Sequence, residues 1–469
     1  MNSFAIPKAS SDPLPELAEF LEPFSPVFRR RQSSQSLERY VTGLLTDLGR
    51  KNCQTIASAL ASTSTERLQH LLTDAEWDPL ELDAARVRRL SARSPNGGIL
   101  ILDDTSLPKK GNSSVGVAPQ YCGTLGKIAN CQVLVSAHYV VDEPSSSAPL
   151  HWPLTGRLYL PEDSWAKDFE RRKRAHVPEE LGFATKPQLA LDLLDRAREW
   201  EVPFELVVAD SGYGKNPAFL EGLEERNPPY VCGVEGAFGV RLADEVEAAG
   251  SAAPPAYQGR GRPPKVRPAP LYTAEVIIGS LPEEAWQQVS WREGTKGDLS
   301  KRMAAIRVHR GIGSQERYSG SHKHVSTGPQ GWLIAERPLP GEKGESKYYF
   351  STLPADLSMQ RLGALVHSRW VIEQFYEDAK GECGLGDYQG RRWDGLHRHL
   401  ALVMLAYSFL AVHSSIAGEG SQGEQIFSPS IRHTTLPAIH RQVLEWLLED
   451  LVLWFIETDR IKTFRPRRT

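Results

Sequence analysis

The sequence lacks any uninterrupted run of the roughly 20 apolar residues that a membrane helix needs. Its best candidate, residues 400–412, is shorter and is flanked by histidine, which favours a buried helix. The N-terminal segment shows no basic start followed by an apolar run, so no secretion signal is visible. We therefore expect a globular, cytoplasmic protein that does not use a membrane as a partner.

Cysteine is also scarce. The five cysteines are widely scattered and include no CxxC pair. Such spacing argues against both a disulfide framework and a zinc site. The sequence therefore predicts free, mostly buried thiols.

An excess of positive charge, which often marks a nucleic-acid-binding protein, is missing as well. The chain has 55 basic and 58 acidic residues, with a formal net charge of -3. Segregated charge still allows a near-neutral protein to present a positive face to phosphates. Each basic run alone is more typical of a solvated surface than of a DNA contact. The basic residues cluster at positions 29–31, 86–89, 171–174, 260–267 and 465–468.

Helical and β-prone segments alternate along the chain, which indicates an α/β fold. Helix-spaced apolar positions fill the first 95 residues, and strand signals begin at residues 99–102. A second strand is predicted at residues 204–209. Strands are also expected at residues 271–278, and one helix is expected over residues 360–380.

Changes in composition and in the spacing of apolar residues along the chain predict five segments. The first is a helical N-terminal domain, and the last is a helical C-terminal region. Between them an α/β core is divided by a β-rich insertion that is rich in proline, glycine and basic residues. In order, the segments are 1–95, the first core part 96–236, the insertion 237–345, the second core part 346–415, and 416–469.

Both predicted buried strands of the core lead into aspartate. The first runs into Asp103 and Asp104, and the second into Asp210. Carboxylates at the ends of adjacent strands can converge, and Glu373 on a later helix can complete an all-oxygen site. Such a site suits Mg²⁺ or Mn²⁺. Two such ions can support in-line displacement at phosphorus.

The helix that carries Glu373 has a second informative feature. Arg369, Glu373 and Lys380 are separated by four and seven residues, so they fall on one helical face. That face can present a metal ligand together with two phosphate-binding cations. The alternative is an ordinary surface stripe with an Arg369–Glu373 pair, worth only about 0.2 to 0.5 kcal/mol.

Three blocks of residues, in matching order, resemble the IS701 branch of the IS4-type DDE transposases. Arg369, Glu373 and Lys380 match the R(3)E(6)K part of the family signature, although Val366 stands where a tyrosine is usual. The first catalytic block is similar to residues 101–123, and the second is similar to residues 208–214. The resemblance spans about residues 95–415.

The resemblance implies an RNase H-like catalytic core with a β-rich insertion and two Mg²⁺ (or Mn²⁺) ions. It implies Asp104, Asp210 and Glu373 as catalytic, metal-binding residues. Asp103 is the alternative to Asp104. The resemblance favours Asp104, because related transposases place the ligand just before the threonine.

The expected activity is that of a transposase. The enzyme would cleave the ends of a mobile element and transfer the strands into target DNA by cut and paste. Water and then a 3'-hydroxyl would act as nucleophiles, without a covalent protein–DNA intermediate. The expected partners are terminal inverted repeats and target DNA, bound by a homodimer. The helical N-terminal region, residues 1–95, is expected to be the DNA-binding domain that recognises the element ends. Surface salt bridges of its arginines with Glu81 and Asp83 are the alternative.

Further DNA contacts are predicted outside the metal site. Arg369 and Lys380 would bind phosphates close to the scissile bond, and Lys109 or Lys110 would do likewise.

Two basic segments of the insertion are also candidates. Arg260 and Arg262 lie in a sequence that resembles an AT-hook, in which arginine enters a narrow minor groove. A basic flexible linker is the alternative. Trp291 and Lys296 suggest a strand and loop that touch DNA, although a tryptophan in such a segment more often packs in the core.

Two other functions remain open from the residues alone. Asp103, Asp104 and Thr105 resemble a phosphatase nucleophile loop, but the DxDxT spacing is missing. A transposase relative that is catalytically idle and acts as a DNA-binding or regulatory protein is the second. The presence of all three carboxylates argues against it.

Overall fold

The computed structural model describes residues 14–142, 149–253, 268–294, 297–312 and 326–416, together with residue 440. The strands are β1 (Gly98–Pro108), β2 (Ala118–Cys122), β3 (Lys127–Val140), β4 (His151–Leu158), β5 (Phe204–Ala209), β6 (Tyr230–Val234), β7 (Gly239–Leu242), β8 (Tyr272–Thr273), β9 (Gln287–Gly294), β10 (Gly297–Ile312), β11 (Ser326–Arg337) and β12 (Lys347–Ser351).

Helices precede, separate and follow these strands. They are α1 (Pro15–Leu21), α2 (Arg31–Leu44), α3 (Cys53–Ala59), α4 (Thr65–Thr73), α5 (Pro79–Ser91), α6 (Phe169–Arg174), α7 (Lys186–Glu199), α8 (Ser211–Gly214), α9 (Pro217–Arg226), α10 (Ala243–Ser251), α11 (Ala274–Gly279), α12 (Met359–His367), α13 (Trp370–Gly381) and α14 (Trp393–Ile416).

The described strands form one large mixed sheet, which confirms the α/β class. The strand order is β2-β3-β1-β5-β6-β12-β11-β10-β7-β8, with β4 paired to β3 and β9 paired to β10. Strands β1, β5 and β6 run parallel, and β3 is antiparallel to β1. Because β12 pairs with β6, the strands predicted as an insertion continue the same sheet.

Side chains that alternate along β1 pack into two different cores. Ile99 and Ile101 belong to a cluster with α12, α13, α14 and the N-terminal helices. Leu100 and Leu102 belong to a second cluster with α7 and α9. This is the period-two alternation of a strand that is covered on both faces. The sheet is therefore the middle layer of the fold.

Helix α14 is the most deeply buried helix on the first face. Trp393–Val412 is long and apolar enough to cross a membrane, but 83% of that window is buried inside the fold. The buried helix expected near residues 400–412 is thus confirmed. The N-terminal helices pack against α14, where the Tyr40 hydroxyl and His399 Nδ1 lie 2.9 Å apart.

Two predictions of secondary structure were wrong. Residues 271–278 hold only the short strand β8, after which the Thr273 hydroxyl accepts a hydrogen bond from the Val276 amide and begins helix α11. The single helix expected over residues 360–380 is divided into α12 and α13. At the break, the Ser368 hydroxyl donates to the Leu365 carbonyl at 2.8 Å, a local bond that competes with regular helix geometry.

Candidate active site

The two aspartates of β1 project to opposite faces of the sheet. Strand β1 does not end at Asp103 and Asp104, as expected, but continues to Pro108 because β3 pairs with it along this whole length. Asp103 follows the alternation of Ile99 and Ile101, so it faces α13. Asp104 follows that of Leu100 and Leu102, so it faces α7.

Asp210 lies beside Asp103 at the point where strands β1 and β5 cease to pair. The last pair between β1 and β5 joins Leu102 to Ala209. Asp103 and Asp210 are the next residues of these two parallel strands, so they leave the paired region side by side. Beyond Ala209 the chain turns into α8, where Asp210 accepts a hydrogen bond from the Tyr213 amide at 3.2 Å. The predicted convergence of carboxylates at strand ends therefore involves Asp103.

Arg369 joins the β1 carboxylate to the helix carboxylate. Its Nη1 donates to Asp103 Oδ2 at 2.7 Å, and its Nη2 donates to Glu373 Oε1. The side chain of Asp103 is 10% exposed, whereas that of Glu373 is 57% exposed. The guanidinium thus connects a buried acid to an accessible one, and the i,i+4 pair predicted from the helix spacing is present.

The electrostatics of Asp103 reflect this setting. Burial raises the pKa of Asp103 from 3.8 to about 7; Arg369 lowers it, and the charges of Asp210 and Asp104 raise it further. The Arg369 pKa responds in the opposite sense. Burial lowers it, but Asp103, Glu373 and Asp210 together raise it above its usual value. Three acidic residues therefore act on one guanidinium.

Asp104 has different partners on the other face. Lys186 Nζ donates to its Oδ2 at 2.9 Å, and the buried Tyr213 hydroxyl donates to its Oδ1 at 3.3 Å. Since Tyr213 belongs to the turn that begins at Asp210, this contact ties β1 to the Asp210 turn. The expectation that Asp104 joins Glu373 does not match this geometry, because strand alternation turns Asp104 away from α13.

Among the described residues, no three acidic, histidine or cysteine side chains are grouped closely enough to enclose a metal ion. The donors gathered around Arg369 are nevertheless all carboxylate oxygens, the chemistry that Mg²⁺ and Mn²⁺ prefer. The residue types fit such an ion. Asp103 and Glu373 meanwhile both accept hydrogen bonds from the Arg369 guanidinium.

Comparison with known proteins gives the family of this chain. The sequence profile described as DDE superfamily endonuclease matches residues 23–298, which is more than half of the 469 residues. The chain belongs to the DDE endonuclease superfamily. This match contains Asp103, Asp104 and Asp210, but it ends before Glu373.

One relative extends the DDE resemblance further along the chain. It is 27% identical over 388 residues, which is 82% of this chain and 84% of the relative. That protein is named as the probable transposase for insertion sequence element IS701 from Microchaete diplosiphon. The family predicted from the three sequence blocks is confirmed.

The lysines predicted to bind DNA in this DDE protein have different surroundings. Lys109 Nζ donates to the backbone carbonyls of Gly386 and Tyr388 at 3.1 and 2.8 Å, and burial lowers its pKa to about 8. Lys110 is exposed. Lys109 is half-buried, so Lys110 is the more accessible of the pair. DNA contact by either lysine stays a prediction.

Lys380 lies farther along α13 and donates to the Thr124 hydroxyl at 2.9 Å. Trp291 is stacked on the His367 ring, with 3.5 Å between the ring centroids. His367 is the last residue of α12, so the stacking places Trp291 beside the α12–α13 break. Arg369 lies within that break. Its DNA contact stays a prediction. Arg260, Arg262 and Lys296 lie outside the described residues.

Lys186 and Tyr213 are the residues near the site that sequence reasoning missed. A signal was present for the position of Lys186, since Thr185 and Gln188 form a capping box that begins α7. Tyr213 lies in the second resemblance block. Neither signal reveals the contact with Asp104, because the contact depends on which helix covers which face.

Proposed function

We propose that this protein is a DNA transposase that cleaves the ends of a mobile element and transfers the strands into target DNA. The observation that carries the proposal is the set of carboxylates around Arg369. Asp103 and Asp210 leave adjacent parallel strands together, and Glu373 reaches the same guanidinium from α13. In this proposal, β4, β3, β1, β5 and β6 with α13 constitute an RNase H-like core.

Asp103, Asp210 and Glu373 would hold two Mg²⁺ or Mn²⁺ ions. The ions would supply Lewis-acid activation of the attacking oxygen and charge stabilisation for the departing one. We assign the β1 ligand to Asp103 instead of Asp104, since only Asp103 faces α13. In this proposal Arg369 releases at least one of Asp103 and Glu373 when both bind metal. A released guanidinium is then available to a DNA phosphate.

Asp104 acts in this proposal as a positioning residue. Its contacts with Lys186 and Tyr213 hold the turn that carries Asp210 against β1. The Lys186 side chain is 34% exposed, so its ammonium group also adds positive charge near the DNA. The wider expectations belong to the same proposal: a cytoplasmic enzyme that works by cut and paste and acts as a homodimer on paired element ends.

The decisive experiment is a cleavage assay with a matched pair of variants. The substrate is a labelled duplex made from the DNA that flanks the gene on each side, incubated with Mg²⁺ or with a chelator. We expect strand cleavage only with Mg²⁺ and its loss in Glu373→Gln. Glu377→Gln is the control, because Glu377 is exposed one turn later on the same helix.

Two results would count against this proposal. Cleavage that persists in Glu373→Gln would remove Glu373 from the catalytic set. Metal-independent binding of the duplex without any cleavage would instead support the alternative function, a catalytically idle DNA-binding or regulatory relative.

A further inference from the structure

Strands β2 and β3 form a hairpin with an unusually apolar tip, residues 121–128. Tyr121 is 65% exposed, Leu125 is 47% exposed and Ile128 is 74% exposed. Tyr121 and Ile128 are paired in register across the hairpin, so their side chains are neighbours on one face. Exposed apolar groups gathered in this way mark an interaction surface more often than isolated ones do.

The hairpin tip is fastened to two elements that carry candidate catalytic carboxylates, β1 and α13. The Thr124 hydroxyl donates to the Ser106 carbonyl of β1 at 2.8 Å, and the Gly123 amide donates to the Ser106 hydroxyl at 3.2 Å. From α13, Lys380 donates to Thr124 at 2.9 Å. The tip therefore has a fixed position relative to Asp103 and Glu373.

The charged residues of the β2–β3 segment itself have one sign. The sequence has no acidic residue between Asp104 and Asp142, whereas Lys110 and Lys127 are exposed within that stretch. A two-fold contact between tips would bring the lysines of both copies together. DNA phosphates complement the same charges. Charge therefore favours DNA over a second copy of the chain as the occupant of this surface.

We propose that the hairpin tip packs against DNA next to the scissile phosphate, with Tyr121 and Ile128 lying on bases or deoxyriboses that are opened there. This inference rests on the proposed function and extends it to a surface outside the metal site. Aromatic side chains stack on unpaired bases, and apolar side chains can wedge between base steps. The lysines alongside would hold the phosphates of the same strand.

Photocrosslinking tests which partner contacts the tip. The crosslinking residue p-benzoylphenylalanine is placed at position 121, or at position 276 as the control, since Val276 on α11 is 58% exposed. The probe is a labelled duplex with unpaired bases at one end, in buffer with chelator. We expect a protein–DNA crosslink from position 121 only. A crosslink from position 121 to a second protein chain would instead identify a dimer surface and overturn the proposal.

Binding of the same forked duplex gives a second, independent readout. The double variant Tyr121→Thr with Ile128→Thr keeps strand-compatible β-branched residues and removes the apolar surface. We expect its affinity for the forked duplex to fall about tenfold, by the loss of one stacked base, with a smaller loss for a blunt duplex. Val276→Thr should bind like the parent.

Equal losses on both duplexes, or no loss, would refute the hairpin contact. A thermal melt that matches the parent excludes misfolding as the cause. Both measurements are made without Mg²⁺, so they remain readable if the chain binds DNA but never cuts it. In that case the proposed catalysis fails while the hairpin result stands.

Discussion

Replacing Asp103 by asparagine should abolish cleavage and yet stabilise the protein at neutral and alkaline pH. The variant keeps the size of the side chain and removes a negative charge that lies 2.7 Å from Arg369. A metal held by carboxylates supplies several kcal/mol of transition-state stabilisation. At about 1.4 kcal/mol for each tenfold change, we expect Asp103→Asn to lower the cleavage rate by about a thousandfold or more.

The effect on stability follows from the raised pKa of Asp103. Its pKa is about 7 in the folded protein and 3.8 in the unfolded reference, so the folded state binds this proton more tightly. Protonation therefore adds stability below 3.8, and that contribution is lost as the pH rises through about 7. Asparagine resembles the neutral acid, so the variant should not suffer this loss.

The size of this gain has an upper limit. A difference of about three pKa units corresponds to about 4 kcal/mol at most. Because Arg369 also loses a partner in the variant, we expect a net gain of about 1 to 2 kcal/mol above pH 7. The gain should disappear below pH 4.

Asp104→Asn is the matched control for both measurements. Asp104 is half-buried and keeps its hydrogen-bonding shape as asparagine, so the variant weakens one charged contact to Lys186. Such a contact is worth about 1 kcal/mol, which predicts a fall of about three- to tenfold in cleavage. Urea unfolding from pH 4 to 9 and Mg²⁺-dependent cleavage test both variants. If Asp104→Asn were inactive while Asp103→Asn still cut DNA, our assignment of the faces of β1 would be refuted.

Two further substitutions test a buried ion pair that lies away from the site and a hydrogen bond within the site. Arg86→Ala should destabilise the fold by about 3 to 5 kcal/mol in urea unfolding, since it leaves the buried Asp83 without its cation at 2.8 Å; exposed Arg88→Ala should change stability by less than about 0.5 kcal/mol, and equal effects would contradict this account. Tyr213→Phe should lower cleavage by about tenfold or less and leave DNA affinity unchanged, because it removes only the 3.3 Å contact with Asp104. An undiminished rate would show that this contact does not position the Asp210 turn.

The sequence was sufficient to predict the position of β5 and where β1 begins, although not where β1 ends. Strand β5 has the bounds expected from its apolar run, and Asp210 follows it directly. The opposite faces of Asp103 and Asp104 also follow from period-two alternation. The sequence does not show which of the two aspartates is the metal ligand. That choice requires knowing that α13 covers one face of β1 and α7 the other, and both helices are distant from β1 in sequence.

The contacts of individual lysine side chains could not be predicted from the sequence either. Lys109 and Lys110 are adjacent and chemically identical in the sequence. Only the fold brings the Gly386 and Tyr388 carbonyls to Lys109 and leaves its neighbour in solvent. The α12–α13 break was missed for a similar reason. Ser368 lies within a helix-spaced apolar pattern, and the pattern does not predict that its hydroxyl will bond to a backbone carbonyl.

The packing of the N-terminal helices against α14 limits how this protein can be divided. Tyr40 meets His399 in the interior, and the Lys51 amide donates to Asp387 at 2.8 Å. A truncated chain that starts at β1 would lose these partners and expose an extended apolar surface of α14 to water. These helices are therefore part of the scaffold that keeps the core folded, so swapping or deleting them would destabilise the core that carries the candidate site.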